Sequence, residues 1–289
     1  MRKIKILIFS LIMIFALTST IYGADINKGS KSEIDASNAA NGYIKVSFLN
    51  ETSKKLKVII DKGSTQYTYD LNNKGEFDTY PLQMGDGSYK VRVFENISDN
   101  KYATIQTVSI NVKLNDQNAP YLVSNQMVNY TDSSETVKKA EELTEDKATD
   151  IEKVDVIYDY VISNIVYDNE KARTVKSGYL PVIDETLKTN KGICFDYSSV
   201  MAAMLRSQSI PTKLVTGYSS NLSAFHAWNE VYTKETGWIA LNGLYFDGEQ
   251  WKLMDSTVAS SGKQSNSPRV MEYTNKLIDG KYYTKKFEY

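Results

Sequence analysis

Apolar and polar residues alternate in short runs between residues 43 and 114. In the run 88–94, tyrosine and valine alternate with serine, lysine and arginine, the period of a strand that has one face in a core and one in water. Similar runs lie at 43–48, 56–60, 66–69 and 104–114, and glycine-containing turns lie at 72–75 and 84–87. The pattern predicts a small antiparallel β-sandwich over residues 41–118, preceded by a flexible polar lead-in at 25–40.

From residue 119 the apolar spacing changes to that of helices. Thr149 and Glu152 have the spacing of a capping box, and the apolar stripe that follows predicts a helix over 150–164. Two further helices are predicted over 134–147 and 194–207, and strands over 212–218, 224–232, 237–241 and 250–254. Helices followed by antiparallel strands predict an α+β domain over 119–289, with the helix at 194–207 packed on the sheet.

The N-terminus has the pattern of a secretory signal peptide. Three basic residues within the first five precede the apolar run 6–17, and small or polar residues follow at 18–24. The apolar run is shorter than the roughly 20 residues that a membrane-spanning helix needs. We therefore expect residues 1–24 to be removed after Gly23 or Ala24 and the protein to be secreted or held in the cell envelope. An uncleaved N-terminal anchor is the alternative.

Composition and charge exclude several classes of protein. The 289 residues include 34 lysines and arginines against 35 acidic residues, and without the predicted signal the formal charge is −4. Such a chain has no basic surface typical of nucleic-acid binding, and its 42% hydrophobic content excludes a disordered protein. One cysteine and one histidine form neither an internal disulfide nor a Cys/His zinc site. No metal or organic cofactor is expected.

The single cysteine and the single histidine lie at positions where their side chains can be reactive. Cys194 is at the predicted start of the helix 194–207, where unpaired amide groups and the helix dipole stabilise a thiolate. His226 lies on the predicted strand 224–232 and shares a face with Trp228. Both residues are therefore candidates for nucleophilic catalysis.

Asp255, which ends the predicted strand 250–254, is the candidate third member of the site. If this strand lies beside the one that carries His226, the carboxylate accepts the proton of one imidazole nitrogen while the other nitrogen faces the Cys194 sulfur. Such a set performs acyl transfer. A structural interpretation stays open, because a lone cysteine or histidine is commonly a buried core residue and an aspartate is commonly a turn or cap residue.

Three blocks of sequence resemble the transglutaminase-like core of the papain-like superfamily. They are Gly-x-Cys-x-Asp-Tyr at 192–197, His-Ala-Trp-Asn-Glu at 226–230 and Trp-x-x-x-Asp-x-Thr at 251–257, in the family's order. The resemblance covers about a third of the chain, from 154 to 257. It implies that Cys194 is the nucleophile, His226 the general base and acid, and Asp255 the residue that orients the imidazole.

The resemblance implies cysteine-dependent acyl transfer on amide bonds through a thioester, as in a peptidase, an amidase or a cross-linking enzyme. Cell-envelope or extracellular protein is the expected substrate, and peptidoglycan stem peptides are the second choice. Neither a nucleic-acid partner nor membrane insertion after signal cleavage is expected. Tyr197, Tyr218 and Trp228 are the candidate walls of the site.

Two other classes of function remain open from the sequence. The family includes members that have lost catalysis, so the chain could be a silent binding or adhesion module of the cell envelope. A glycan-binding protein would use exposed aromatic side chains, and the 21 tyrosines are spread over both predicted domains. The position of the Cys194 sulfur relative to the His226 ring discriminates the catalytic interpretation from these two.

Overall fold

The computed structural model describes residues 19–22, 26–222, 224–239 and 244–289. Within them, the N-terminal part consists mainly of the strands β1 (Ser19–Tyr22), β2 (Ile26–Lys28), β3 (Ser32–Asp35), β4 (Tyr43–Phe48), β5 (Leu56–Lys62), β6 (Thr65–Leu71), β7 (Asp78–Pro81), β8 (Gly87–Ser98) and β9 (Lys101–Val112). They form two sheets, ordered β1-β9-β8-β5-β6 and β2-β3-β4-β7. The pairs are antiparallel except for β1 with β9. This arrangement is the β-sandwich that the alternating pattern predicts.

The apolar side chains of both sheets meet in one core. Tyr89, Val91 and Val93 of β8 are fully buried, and in β4 the alternate residues Ile44 and Val46 are buried in the same core. Alternation therefore predicts correctly which face of each strand points inward.

The expected flexible lead-in at 25–40 is wrong. β2 and β3 lie within it, β3 pairs antiparallel with β4, and Ile34 and Ala36 are fully buried in the sandwich core. Each of these short strands contains a single apolar residue, Ile26 in β2 and Ile34 in β3, and therefore gives a weak sequence signal. Pairing with β4 supplies the hydrogen bonds and the burial that stabilise it.

The predicted signal peptide, residues 1–24, lies outside the described residues apart from β1. This strand pairs along β9 from Ser19 opposite Val108 to Tyr22 opposite Asn111. Cleavage after Gly23 or Ala24 would remove β1 and leave β9 at the edge of its sheet. Across the described part of the chain, no helix is both long enough and apolar enough to span a membrane.

The C-terminal part is an α+β domain. Its elements are α1 (Glu135–Thr144), α2 (Asp150–Asn164), β10 (Val166–Tyr167), α3 (Asn169–Thr174), α4 (Ile183–Thr189), β11 (Lys191–Gly192), α5 (Cys194–Ser207), β12 (Thr212–Ser219), β13 (His226–Thr233), β14 (Thr236–Ile239), β15 (Leu244–Asp247), β16 (Gln250–Met254), α6 (Ser256–Gln264), α7 (Pro268–Leu277) and β17 (Tyr283–Glu288). The main sheet is antiparallel, in the order β16-β13-β12-β17.

The predicted helices over 150–164 and 194–207 are confirmed with the same bounds. The helix predicted over 134–147 is shorter, and the strand predicted over 237–241 is described only as far as Ile239. The capping box is formed: Thr149 Oγ1 accepts from the Glu152 amide at 3.2 Å, and Glu152 accepts from the Thr149 amide at 3.0 Å.

Helix α5 lies at the centre of the second core. It packs on β12 and β13 on one side and against α1, α2 and α6 elsewhere, and its residues from Asp196 to Leu205 are buried. Asn229 of β13 donates hydrogen bonds to the carbonyls of Ser198 and Lys213, at 3.0 and 3.1 Å. These bonds join the N-terminal half of α5 to β12 and β13, so this part of the helix has a fixed position over the sheet.

Candidate active site

Cys194 is the first residue of α5, and a local cap fixes that helix start. Asp196 accepts a hydrogen bond of 2.8 Å from the amide of Ile193, which satisfies one of the amides left unpaired at the start of a helix. A Cβ on Gly192 would lie 2.6 Å from the Cβ of Asp196, so the turn into the helix requires glycine there. The sequence Gly-x-Cys-x-Asp thus places the sulfur at a helix N-terminus.

Asp196 also anchors the segment before the helix. Its carboxylate is fully buried, lies 2.8 Å from Lys171 Nζ, and accepts a hydrogen bond from the Tyr179 hydroxyl. Upstream, β10 pairs in parallel with β11, so Tyr167 lies opposite Gly192. The turn that carries Cys194 is therefore held from both sides.

His226 begins β13 and is 5% exposed. Its Nε2 lies 2.6 Å from Oδ2 of Asp255. The two residues meet because β13 and β16 are antiparallel neighbours, with Asn229 opposite Met254, the residue just before Asp255. The predicted neighbourhood of these two strands is confirmed.

Asp255 makes two kinds of contact at once. Oδ1 accepts from the amides of Thr257 and Val258, at 3.1 and 3.0 Å, so the residue caps helix α6. Oδ2 contacts His226 and also accepts a 2.8 Å hydrogen bond from the Tyr283 hydroxyl. Asp255 can therefore cap α6 and contact His226 at the same time, because each contact uses a different oxygen.

The surroundings of His226 favour its charged form. Burial disfavours the charge, but the Asp255 carboxylate, the hydrogen bond to it and the nearby Cys194 side chain outweigh burial and raise the pKa of His226 to about 10. Since Nε2 is occupied by Asp255, Nδ1 is the nitrogen available to Cys194. The raised pKa favours the protonated imidazole at neutral pH, and the partly exposed side chain of Cys194 lies beside the ring.

Cys194 and His226 line one cavity of about 300 Å³. Its walls are mostly apolar and include Tyr167, Leu222, Ala224, Phe225, Thr257, Val258 and Ser261. The size lies at the lower end of the range of ligand pockets, and an apolar wall around two reactive groups suits a side chain or a short piece of chain rather than a large planar cofactor.

The three candidate wall residues have different positions. Tyr197 does not line the cavity: it is fully buried, and its hydroxyl bonds the carbonyl of Ile165 and the hydroxyl of Ser260. Trp228 is also fully buried, and its ring stacks beside His226 with centroids 6.2 Å apart. Tyr218 is 52% exposed and packs edge-on against Phe225, so it lies behind a wall residue. In a sequence, an aromatic residue of the core looks the same as one that lines a cavity. The prediction therefore does not distinguish the buried Tyr197 and Trp228 from residues of the cavity wall.

Sequence reasoning missed Tyr283, which lies on β17 beyond the last block of the resemblance. Its ring contacts Trp228 edge-on at 5.0 Å, and its hydroxyl bonds Asp255. β17 reaches this place because it pairs with β12, next to Gly217. The segment 283–288 is half-exposed and rich in lysine, so its sequence gives little sign of a strand.

Within the described ranges, no group of three or more histidine, cysteine, aspartate and glutamate side chains is placed to hold a metal ion.

Comparison with known proteins covers two of the three blocks that carry the site, 192–197 and 226–230. Residues 137–243 match the model of the transglutaminase-like superfamily. An uncharacterized Bacillus subtilis protein, YebA, is 32% identical over 147 residues, which is 44% of this chain and 20% of YebA. A Methanocaldococcus jannaschii protein, MJ1282, is 33% identical over 92 residues, or 28% of this chain and 25% of that protein. The chain thus spans about a quarter or less of the length of these relatives.

Solved structures of low identity also align. A Cytophaga hutchinsonii protein provisionally described as a cysteine protease aligns over 93% of this chain and 74% of its own, at 15% identity and a TM-score of 0.42. Red sea bream transglutaminase aligns over 91% of this chain and 55% of its own, at 14% identity and a TM-score of 0.32. The family match includes Cys194 and His226, and the chain therefore contains a domain of the transglutaminase-like superfamily.

Proposed function

We propose that this protein catalyses acyl transfer from amide bonds, with Cys194 as nucleophile, His226 as acid and base, and Asp255 as the residue that orients the imidazole. The observation that carries the proposal is that His226, which lines one cavity together with Cys194, lies with its Nε2 2.6 Å from Oδ2 of the buried Asp255. The superfamily match to residues 137–243 supports the same general kind of activity.

In the first step the Cys194 thiolate attacks the carbonyl carbon of an amide. The C–N bond breaks, the proton on His226 Nδ1 passes to the leaving amine, and a thioester on Cys194 remains. The helix start stabilises the negative charge on sulfur before attack, and the Cys194 backbone amide stabilises the oxyanion during it. Asp255 keeps Nε2 engaged, so the ring presents Nδ1 throughout.

In the second step a nucleophile resolves the thioester. Water or a primary amine gives a proton to His226 Nδ1 and attacks the carbonyl carbon, and the C–S bond breaks to return the thiolate and the protonated ring. Water gives hydrolysis or deamidation, whereas a lysine-type amine gives an isopeptide bond. Apolar walls that exclude water favour the amine, so the two outcomes depend on how substrate closes the cavity.

We propose that the protein acts outside the cytoplasm and that its substrate is found there. Support comes from the basic start, the apolar run at 6–17 and the small residues at 18–24. Secreted or cell-envelope proteins are the first choice of substrate, and peptidoglycan stem peptides are the second.

Alkylation of the single cysteine tests the proposal. Every cysteine adduct that iodoacetamide forms on the native protein is on Cys194, because the chain has no other cysteine. We expect fast labelling near neutral pH that slows in His226→Ala. Equal rates and equal pH midpoints in the two proteins would overturn the proposal and favour a silent binding module.

Product analysis then separates the reaction types. A glutamine-containing peptide is incubated with the protein, with and without a primary amine, and the products are weighed by mass spectrometry. A deamidated or cleaved peptide indicates hydrolysis, and an amine adduct indicates cross-linking. Cys194→Ala is the matched control and should give neither product.

A further inference from the structure

A second cavity lies beside the first, between the β-sandwich and the α+β domain. Its volume is about 320 Å³, and it shares Phe225 with the cavity that Cys194 lines. Phe195, the residue after Cys194, is also in its wall. We name this second cavity the interdomain cleft; it adjoins the cavity of Cys194 at Phe225.

The wall from the α+β domain is aromatic and partly exposed. Phe225 and Phe287 are 51% and 38% exposed, and Tyr179, Phe195 and Tyr289 complete this wall. The rings are held by each other and by their neighbours, with Tyr179 edge-on to Phe195 and Phe287 tilted against Tyr289. Exposed aromatic side chains gathered around a cleft are typical of a binding site.

The opposite wall is the free edge of β6. In the five-stranded sheet β6 is an outer strand, and it pairs only with β5. The amide of Asp70 donates to Gln126 Oε1 and its carbonyl accepts from Gln126 Nε2, both at 3.1 Å, so the backbone of Asp70 points away from β5. Two residues earlier, Thr68 has the same orientation because of the period of a strand.

The side chain of Gln126 thus makes the two hydrogen bonds to Asp70 that a neighbouring strand would make. This pairing does not continue to Thr68. No hydrogen bond in the described part of the chain satisfies the outward N–H and C=O of Thr68, which also lines the cleft. An open edge of this kind adds a further strand readily.

The polar side chains of the cleft favour a neutral occupant. Lys57 and Asp70 both line the cleft and pair with each other at 2.6 Å, so their charges compensate. The aromatic wall suits apolar side chains of the occupant, and the edge of β6 suits its backbone.

We propose that the interdomain cleft binds an extended, neutral peptide segment of the substrate, which adds to β6 at Thr68 and leads the reacting amide to Cys194. The proposal rests on the acyl-transfer function above and gives it a substrate class: an unfolded or flexible polypeptide segment rather than a free amino-acid amide. It also gives the β-sandwich a role in substrate binding.

Two alkylating probes with the same reactive group test the proposal. Iodoacetamide reports the thiol alone, and iodoacetyl-Phe-Val-Phe-Val-amide also offers a strand to the cleft. We expect the peptide probe to label Cys194 with saturation and about tenfold faster at low concentration, because two backbone hydrogen bonds and apolar burial contribute. A peptide rate that does not saturate and equals that of iodoacetamide would overturn the proposal.

Thr68→Pro removes the outward N–H and is tolerated on an edge strand, and Thr68→Ala is the matched control that keeps it. We expect the proline variant to lose the peptide preference and keep the iodoacetamide rate. Probes N-methylated at alternate peptide bonds make the same test without changing the protein. An unchanged preference in both tests would contradict the proposal, as would protection of Cys194 by an N-acetylglucosamine oligosaccharide but not by the peptide.

The two proposals fail in different ways. If the acyl-transfer proposal is wrong, the rate of iodoacetamide labelling is the same in the unchanged protein and in His226→Ala. A cleft that binds no peptide appears as normal, His226-dependent iodoacetamide labelling without any peptide preference.

Discussion

Tyr283 donates its hydroxyl to the same Asp255 oxygen that lies 2.6 Å from His226. Burial and the Asp255 charge raise the pKa of Tyr283, so the hydroxyl keeps its proton and remains a donor. The ring of Trp228 contacts both side chains: it stacks beside the His226 ring and lies edge-on to the Tyr283 ring. Tyr283 of β17 and the His226 ring therefore share one oxygen of the Asp255 carboxylate.

Tyr283→Phe should slow the reaction of Cys194 without unfolding the protein. The variant keeps the ring that contacts Trp228 and loses one hydrogen bond to Asp255, with a stability cost of about 1 kcal/mol. We expect iodoacetamide labelling at pH 7 to fall about threefold to tenfold, the rate equivalent of one hydrogen bond. Because His226 is the only histidine, its imidazole NMR signals report the ring directly; a variant with unchanged signals and rate would show that Tyr283 is only a packing residue.

Asp255→Asn separates the charge of this residue from its capping role. Asparagine caps helices about as well as aspartate, so the bonds to the Thr257 and Val258 amides can be kept. Without the carboxylate, burial prevails and the pKa of His226 should fall from about 10 to near or below its ordinary value. NMR titration of the histidine measures this shift, and the pH-dependence of labelling should move with it.

Asp255→Ala is the matched comparison, since it removes the cap as well. We expect it to be the less stable of the two variants by about 1 kcal/mol, while both lose the charged imidazole at neutral pH. Equal thermal stability of the two would contradict the capping role of Oδ1.

Stability should depend on pH through His226. Its pKa is raised to about 10 in the folded protein, against about 6.5 when unfolded, so the folded state binds the extra proton between these values. The resulting stabilisation is full below pH 6.5 and is lost as pH rises to about 10, with a slope of up to about 1.4 kcal/mol per pH unit. The free energy of unfolding of the protein minus that of His226→Gln measures it by urea denaturation; a difference that stays constant over this range would be evidence against the charged pair.

Patterns among neighbouring residues predict those helices and strands that are determined by interactions between residues close in sequence. The capping box and apolar stripe give the bounds of α2, and the alternation in 88–94 gives the buried face of β8. For the site, Cys194 at a helix start and His226 beside Asp255 follow from local pattern, strand order and the family resemblance together.

The parts that sequence reasoning missed depend on distant contacts. Tyr283 reaches Asp255 only because β17 pairs with β12, and the sequence of β17 does not show this. Tyr197 is a core residue because its helix is surrounded on several sides, a fact that aromatic character alone does not reveal. The strands at 26–28 and 32–35 likewise exist through pairing with a neighbour.

Lys171→Met should loosen the turn before Cys194. The lysine lies 2.8 Å from the fully buried Asp196 carboxylate, whose other partners are the Tyr179 hydroxyl and the Ile193 amide. Because the lysine is partly exposed, we expect a moderate loss of about 1–2 kcal/mol in the free energy of unfolding, with slower labelling of Cys194. Lys176→Met, at an exposed lysine just after α3, is the control and should change neither quantity. An equal effect of both changes would show that general surface charge, not the Asp196 contact, is responsible.

Gly217→Ala should disturb the site through the sheet. Gly217 lies opposite His226 in the β12 to β13 pair, and a Cβ there would be 2.1 Å from the carbonyl oxygen of Thr284 and 2.9 Å from the Trp228 ring. Because the atom in the way is a backbone oxygen, relieving the clash requires β17 to shift, and Tyr283 shifts with it. We expect a loss of about 2 kcal/mol or more and labelling as slow as in Tyr283→Phe. Gly280→Ala, where a Cβ meets nothing within 4 Å, is the control, and its stability should match that of the unchanged protein. If Gly217→Ala lowers stability and leaves the histidine signals and the labelling rate unchanged, the packing of β17 does not position Asp255.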